Sequence, residues 1–244
     1  MDYYAMKNGK EFFDCYSRFY QTEAKTLVVD IGSQDVNGSL KEVCPKNFQY
    51  LGLDFIEAKN VDIVLTDPYK FPLENDSVDI VVTSSCFEHS EFFWLVYLEA
   101  MRILKPKGIM YINSPSRGIY HRYPVDCWRF YPDSGLALSN WGKVNGYNNV
   151  LLESYVQKTG DFGDYVGVFL KDSKFSNLFT RKIIDDKKDF INGRSEKDLN
   201  LIVNPLKSNN GEIRSPKRFI PKFLRPLFGY HRKDSMLEAL RKRL

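Results

Sequence analysis

TLVVDIGSQDVNG, residues Thr26 to Gly38, decides how the rest of the chain is read. Its first half is a short run rich in Leu, Val and Ile, the pattern of a strand buried on both faces. Its second half turns at once. Gly32 stands where backbone and a bound ligand must approach closely, because a Cβ there would occlude the site. Taken alone, Asp30-Ile31-Gly32 is a short signal, and its meaning depends on the residues downstream of it.

Working outward, four further apolar runs have the same character: QYLGLD (49–54), VDIVLT (61–66), VDIVVTS (78–84) and GIMYINS (108–114). They alternate with amphipathic or polar stretches, the pattern of helices packed on a largely parallel sheet. The clearest helix is EFFWLVYLEAMRILKP (91–106), in which Phe92, Leu95, Val96, Glu99 and Ile103 fall near helical spacing and Pro106 is expected to stop it. PSRGIYHRYPVDCWRFYPD (115–133) fits neither period and reads as a long functional loop. A helix over 134–141 and two strands, 147–157 and 164–171, joined by TGDFG, are expected to close the sheet as a hairpin. The expected fold class is α/β: a mostly parallel, seven-stranded Rossmann-like sheet with an antiparallel C-terminal hairpin strand and helices on both faces. A helical segment over 1–25 precedes it, the central domain spans 26–170, and a basic extension covers 171–244.

At the strand ends the residue types point to a nucleoside pocket. The second strand ends in Asp54, about twenty residues after the glycine turn, where a carboxylate can accept from the two hydroxyls of a ribose. Asp67, in LTDPYKFPL, stands at the tip of the third strand, placed to meet an exocyclic adenine amine. A nicotinamide cofactor would require G-x-G-x-x-G, and DIGSQDVNG supplies only Gly32 and Gly38.

DIGSQDVNG, YLGLD, LTDPYKFPLENDSVDIVVTSSCFEH and EAMRILKPKGIMYINSP resemble, in order, the successive motifs of class I S-adenosylmethionine-dependent methyltransferases, near the group called methyltransferase type 11. The resemblance covers residues 26–170. It implies S-adenosylmethionine as cofactor, with Asp30 and Gly32 flanking its methionine moiety beside Ser33 and Gln34. It further implies Asp54 and its neighbour Phe55 at the ribose, Asp67 and Pro68 at the adenine, and Ser84 and Ser85 alongside. Two departures stand out: Ser33-Gln34-Asp35 replaces the centre of a GxGxG loop, and Pro68 has no N–H to donate to an adenine ring, which leaves Tyr69 or water as the donor.

Methyl transfer from a sulfonium is an in-line displacement, so much of the catalysis can come from alignment; a hydroxyl acceptor also needs a base, and a carboxylate does not. His121 is the first candidate base because imidazole titrates near neutral pH, with Asp126 as its orienting partner or substitute and His89 as a second candidate. Arg117, Arg122 and Arg129 are placed to pair with a substrate phosphate or carboxylate, and Tyr123, Trp128 and Tyr131 to stack on a sugar ring. The structural alternative is that the loop is an aromatic lid whose arginines answer local acids such as Asp126 and Asp133. GIYHRYPVDCWRFYPDSGLAL is similar to segments of bacterial methyltransferases acting in surface-polysaccharide (capsule) pathways, which implies a saccharide or nucleotide-sugar acceptor. Lipid, quinone or carboxylate acceptors, and cofactor binding without transfer, stay open.

Composition sets the remaining bounds. The 43% hydrophobic content suffices for a packed core. No stretch approaches the roughly 18 apolar residues of a membrane span, and no leader is visible, so a cytoplasmic protein is expected. Cys15, Cys44, Cys86 and Cys127 are scattered, without zinc-ligand spacing, so free thiols and no metal are expected. Residues 1–170 hold 16 Lys+Arg against 22 Asp+Glu, and residues 171–244 hold 19 against 9. The basic extension reads as a cap, a homodimer arm or, through FIPKFLRPLFGY (219–230), a peripheral membrane contact. Nucleic acid is not expected as a partner: TSSCFEH contains nothing like the DPPY tetrapeptide of amino-methylating nucleic-acid enzymes.

Overall fold

Five parallel strands build the half of the sheet that carries the expected nucleoside site: β1 (Leu27–Ile31), β2 (Gln49–Asp54), β3 (Ile63–Val64), β4 (Val78–Ser84) and β5 (Leu104–Ser114). Four antiparallel strands extend it: β6 (Val150–Gln157), β7 (Tyr165–Leu170), β8 (Phe190–Ser195) and β9 (Asp198–Val203). The order across the sheet is β3-β2-β1-β4-β5-β7-β6-β8-β9. The computed structural model describes residues 2–20 and 25–206. FIPKFLRPLFGY lies outside the described residues.

The sheet has nine strands where seven are expected. The hairpin β8–β9 lies beyond residue 170, so the unit that contains the sheet spans Met1–Asn204, and Pro205–Leu244 make a second unit. The third strand is also shorter than VDIVLT suggests. The Asp62 carboxylate accepts from the Gly52 N–H at 2.7 Å, and pairing with β2 is confined to Ile63 and Val64.

Helix α2 (Phe93–Ile103) connects β4 to β5 and buries Val96, Tyr97, Ala100 and Met101 against Val29, Val81 and Met110, where α3 (Ser134–Val144) adds Leu138. Pro106 does not stop α2: the chain turns extended already at Leu104, and Pro106 lies in the irregular start of β5. The opposite face is covered from the N-terminus. Helix α1 (Tyr3–Tyr16) is capped by Asp2, whose carboxylate accepts from the Ala5 N–H, and buries Phe12, Phe13 and Tyr16 against Val28, Ile80 and Tyr111. Each such side chain is worth roughly 1.5–3 kcal/mol when fully buried. The links β1–β2, β2–β3 and β3–β4 carry no α-helix, only loop and a short helical turn at Leu40–Glu42. Among the described residues no helix is long and apolar enough to cross a membrane.

Candidate active site

The turn after β1 is built around Gly32, which holds φ +76°, and a Cβ there would meet the Cys86 Cβ at 2.6 Å. The N–H groups of Gly32 and Ser33 both donate to the Leu53 carbonyl, at 2.9 and 3.1 Å, tying the turn to the end of β2. Where a glycine-rich loop would bend freely, this one is fixed by Asp35. Its carboxylate accepts from the Gly38 N–H at 2.8 Å and pairs with Lys59 at 2.5 Å. Ser33 is buried, and its hydroxyl has no hydrogen-bond partner among the described residues. Asp30 is buried beneath the turn and accepts from the Tyr50 hydroxyl at 2.6 Å; burial pushes its carboxyl up to about 7, against the opposing pull of that hydrogen bond.

Asp54, at the end of β2, is buried to 6% exposure. One of its oxygens accepts from the Gln34 N–H at 3.1 Å and the other from the Phe55 N–H at 2.7 Å. Each carboxylate oxygen keeps a further acceptor position, enough for two neighbouring hydroxyls. The close fit of this corner explains Gly52 inside β2: a Cβ there would lie 2.0 Å from the Asn60 carbonyl and 2.6 Å from the Ser33 hydroxyl.

Asp67 is exposed, beyond the end of β3, on the rim of an open depression of about 620 Å³ that also includes Glu99 and Arg102. Its carboxylate accepts from the Tyr69 N–H at 2.8 Å, so the donor that Pro68 lacks is not supplied by Tyr69, whose N–H is already engaged. Ser84 ends β4 with a buried hydroxyl lacking a partner among the described residues, and Ser85 follows at φ +53°, its N–H donating to Asn113. The partnerless hydroxyls of Ser33 and Ser84, the Asp54 acceptors and the turn at Gly32 fit a nucleoside carrying a polar tail.

Beyond β4, a short helical turn at Phe87–His89 brings up Glu88 and His89. Glu88 is 1% exposed, its Oε2 has no partner among the described residues, and burial pushes its carboxyl up to about 8. The His89 Nδ1 lies 2.5 Å from the Val125 carbonyl, and burial lowers its pKa. His121, from the long loop, packs edge-on against His89 with ring centroids 5.0 Å apart. The sequence singled out both histidines and passed over Glu88, which is buried beside a loop distant in sequence, its carbonyl accepting from the Cys127 and Trp128 N–H groups.

The loop is held down by its own charges. Asp126 accepts from the His121 N–H at 2.7 Å and takes a bidentate pair from Arg129, which holds its carboxyl well below the usual range. The His121 Nδ1 is 3.7 Å from the same carboxylate. Arg129 also donates to the Trp128 and Ile119 carbonyls, and Arg117 donates to those of Lys158 and Gly160. Of the two arginines expected to face substrate, Arg117 ties the loop to the turn between β6 and β7 and Arg129 braces the loop internally, its Nε alone making no hydrogen bond among the described residues. Arg122 is exposed and has no hydrogen bond or ion pair among the described residues. The Trp128 indole donates to the Ser90 carbonyl and its ring meets Phe93 and Trp94, while Tyr123 and Tyr131 are exposed. A second group hidden from the sequence lies under the end of β5: Asn113 donates to Asp164 at 3.0 Å and accepts from Asn8 of α1 at 3.0 Å.

Residues 16–112 match the family described as Methyltransferase domain. Among solved structures, an S-adenosylmethionine-dependent methyltransferase from Archaeoglobus fulgidus aligns with a TM-score of 0.51 at 16% identity, covering 70% of this chain and 100% of that one. A 1,6-didemethyltoxoflavin-N1-methyltransferase from Burkholderia thailandensis, solved with 1,6-didemethyltoxoflavin and S-adenosylhomocysteine, aligns at 0.50 and 12% identity, covering 69% and 78%. At these identities the structures establish the fold. No curated protein matches the chain.

Proposed function

Since residues 16–112 belong to the methyltransferase-domain family and the chain is an S-adenosylmethionine-dependent methyltransferase, we propose that its acceptor is a hydroxyl of a saccharide or nucleotide sugar, as in assembly of bacterial surface polysaccharide. The observation that carries this reading is the adjacency of two sites. The nucleoside corner of Asp30, Gly32, Asp54 and Ser84 borders the Glu88, His89 and His121 group across the end of β4.

When bound, the cofactor supplies an electrophilic methyl group on a sulfonium. Asp54 and its neighbour Phe55 would hold the ribose, the turn at Gly32, Ser33 and Gln34 the methionine end, and Asp67 and Pro68 the adenine side, with Ser84 and Ser85 alongside. On the acceptor side, His121 would take the hydroxyl proton while Asp126, fixed by Arg129, orients it. His89, its Nδ1 against the Val125 carbonyl, packs behind it. The clamped loop supports alignment, which is the main requirement of an in-line displacement. Tyr123, Trp128 and Tyr131 offer ring faces to a sugar, and Arg122 is the guanidinium left to meet a phosphate.

The test has two stages: calorimetry with S-adenosylhomocysteine, then transfer of labelled methyl from S-adenosylmethionine to a panel of nucleotide sugars. Product binding and label on one or more sugars are expected. Product binding with no labelled sugar would sink the saccharide reading. A His121→Ala variant that retained full activity would point to a carboxylate acceptor, which needs no base.

A further inference from the structure

Glu88, His89 and His121 each offer one ligand atom, and these atoms all lie within 4.8 Å of one another. Two come from the turn after β4 and the third from the loop after β5, so no sequence spacing announces them. Glu88 is 1% exposed, with an Oε2 that completes no hydrogen bond among the described residues, the neighbouring Ser114 hydroxyl offsetting only part of the effect of burial on its carboxyl. A buried carboxylate oxygen without a partner is costly unless a donor or a cation reaches it.

The two imidazoles are arranged to complement it. A carbonyl oxygen only accepts, so the His89 Nδ1, 2.5 Å from Val125, carries the proton and Nε2 keeps its lone pair; that nitrogen is 3.8 Å from Glu88 Oε1. A ring N–H anchored on a backbone carbonyl is the usual support of a metal-ligating histidine. His121 is held through its backbone by Asp126, and the Glu88 carbonyl accepts from the Cys127 and Trp128 N–H groups, so the two segments are tied together. Arg129 is the competing cation: two of its nitrogens are held by Asp126, its buried Nε makes no hydrogen bond among the described residues, and its charge reaches Glu88 without pairing with it.

We propose that Glu88, His89 and His121 form a binding site for a divalent transition-metal cation beside the methyl-transfer site. Two imidazoles and one carboxylate suit zinc, iron or manganese better than magnesium or calcium. With bonds of about 2.1 Å, the most separated ligand atoms must approach by roughly 1 Å, and the partly exposed His121 on its loop is the member able to move. Three protein ligands leave coordination positions for water or an acceptor oxygen, which the cation would polarise. That catalytic use rests on the function proposed above; cation binding itself does not. In the loaded state His121 is a ligand, and its service as a base belongs to the cation-free protein.

The experiment uses the full chain without an affinity tag, freed of metal by chelation and titrated with Zn²⁺ by calorimetry and with Co²⁺ by visible absorption. One equivalent is expected to bind. Glu88→Gln and His89→Ala should each weaken binding at least tenfold. If Glu88→Gln does not fold, His121→Ala on the partly exposed loop carries the same comparison. S-adenosylhomocysteine affinity is measured on the same samples. Absence of Zn²⁺ and Co²⁺ uptake while that affinity is intact overturns the site, as does equal Zn²⁺ affinity in the folded variants and wild type. Zn²⁺ uptake that depends on Glu88, in a protein without product affinity, supports the site and counts against the methyltransferase reading instead.

Discussion

Gly32 shows how much one residue decides. A side chain at φ +76° costs about 1 kcal/mol or more, and the space it would enter is filled by Cys86. Gly32→Ala is therefore expected to lose S-adenosylhomocysteine affinity at least 100-fold and to lower stability by roughly 1–3 kcal/mol. Calorimetry and thermal melting measure the two separately; unchanged affinity would refute the placement of the methionine end. Asp54 makes the complementary case. Its two oxygens hold the Gln34 and Phe55 N–H groups and still have acceptor positions for a ribose. Asp54→Ala should cost 10- to 100-fold in affinity, with about 1–3 kcal/mol of stability lost through the two orphaned donors. Asp54→Asn should recover about half of the stability and little of the affinity, because its single amide oxygen holds only one of the two N–H groups and its amide nitrogen can accept neither from the other nor from a hydroxyl.

Among the elements, the loop between β5 and α3 makes a prediction of its own. Arg129 bridges Asp126, Trp128 and Ile119 with a planar fork that a lysine cannot reproduce. Arg129→Lys should raise the acceptor KM severalfold and leave product affinity near wild type, since the nucleoside corner lies on other segments; steady-state kinetics and calorimetry decide it. Elements differ in how far they can be read from sequence, for physical reasons. β1, β2 and β4 are apolar because both faces are covered, so their composition announces them. FINGRS at the far side carries Asn, Gly, Arg and Ser within a strand, and DLNLIV is short and partly exposed at the edge, so β8 follows from its pairing with β6 and β9 from its pairing with β8. The site divides in the same way. Asp30, Gly32 and Asp54 end legible strands, whereas the convergence of Glu88 with His121 and the engagement of Arg117 depend on how an irregular loop folds back.

Across the whole molecule, Glu153 is the brace. Fully buried in β6, it accepts from the Tyr16 hydroxyl of α1 at 2.6 Å and from the Ile183 and Ile184 N–H groups at 2.9 and 3.0 Å. One carboxyl thus joins the N-terminal helix, the sheet and the segment leading to β8. Burial pushes its pKa up to about 7, more than the three hydrogen bonds bring it down. A carboxyl whose folded pKa lies above its unfolded value of about 4.5 favours the fold in its protonated form. Its contribution is complete below pH ~4.5 and is lost as pH rises through about 7. Glu153→Gln keeps the shape and one acceptor and removes the titration. The stability advantage of wild type over this variant should therefore be largest near pH 4.5 and shrink by roughly 2–3 kcal/mol by pH 8. Urea unfolding of both proteins at those two pH values measures it. A difference that stayed constant, or grew with pH, would mean that Glu153 is ionised in the folded protein throughout and braces the three segments as a carboxylate.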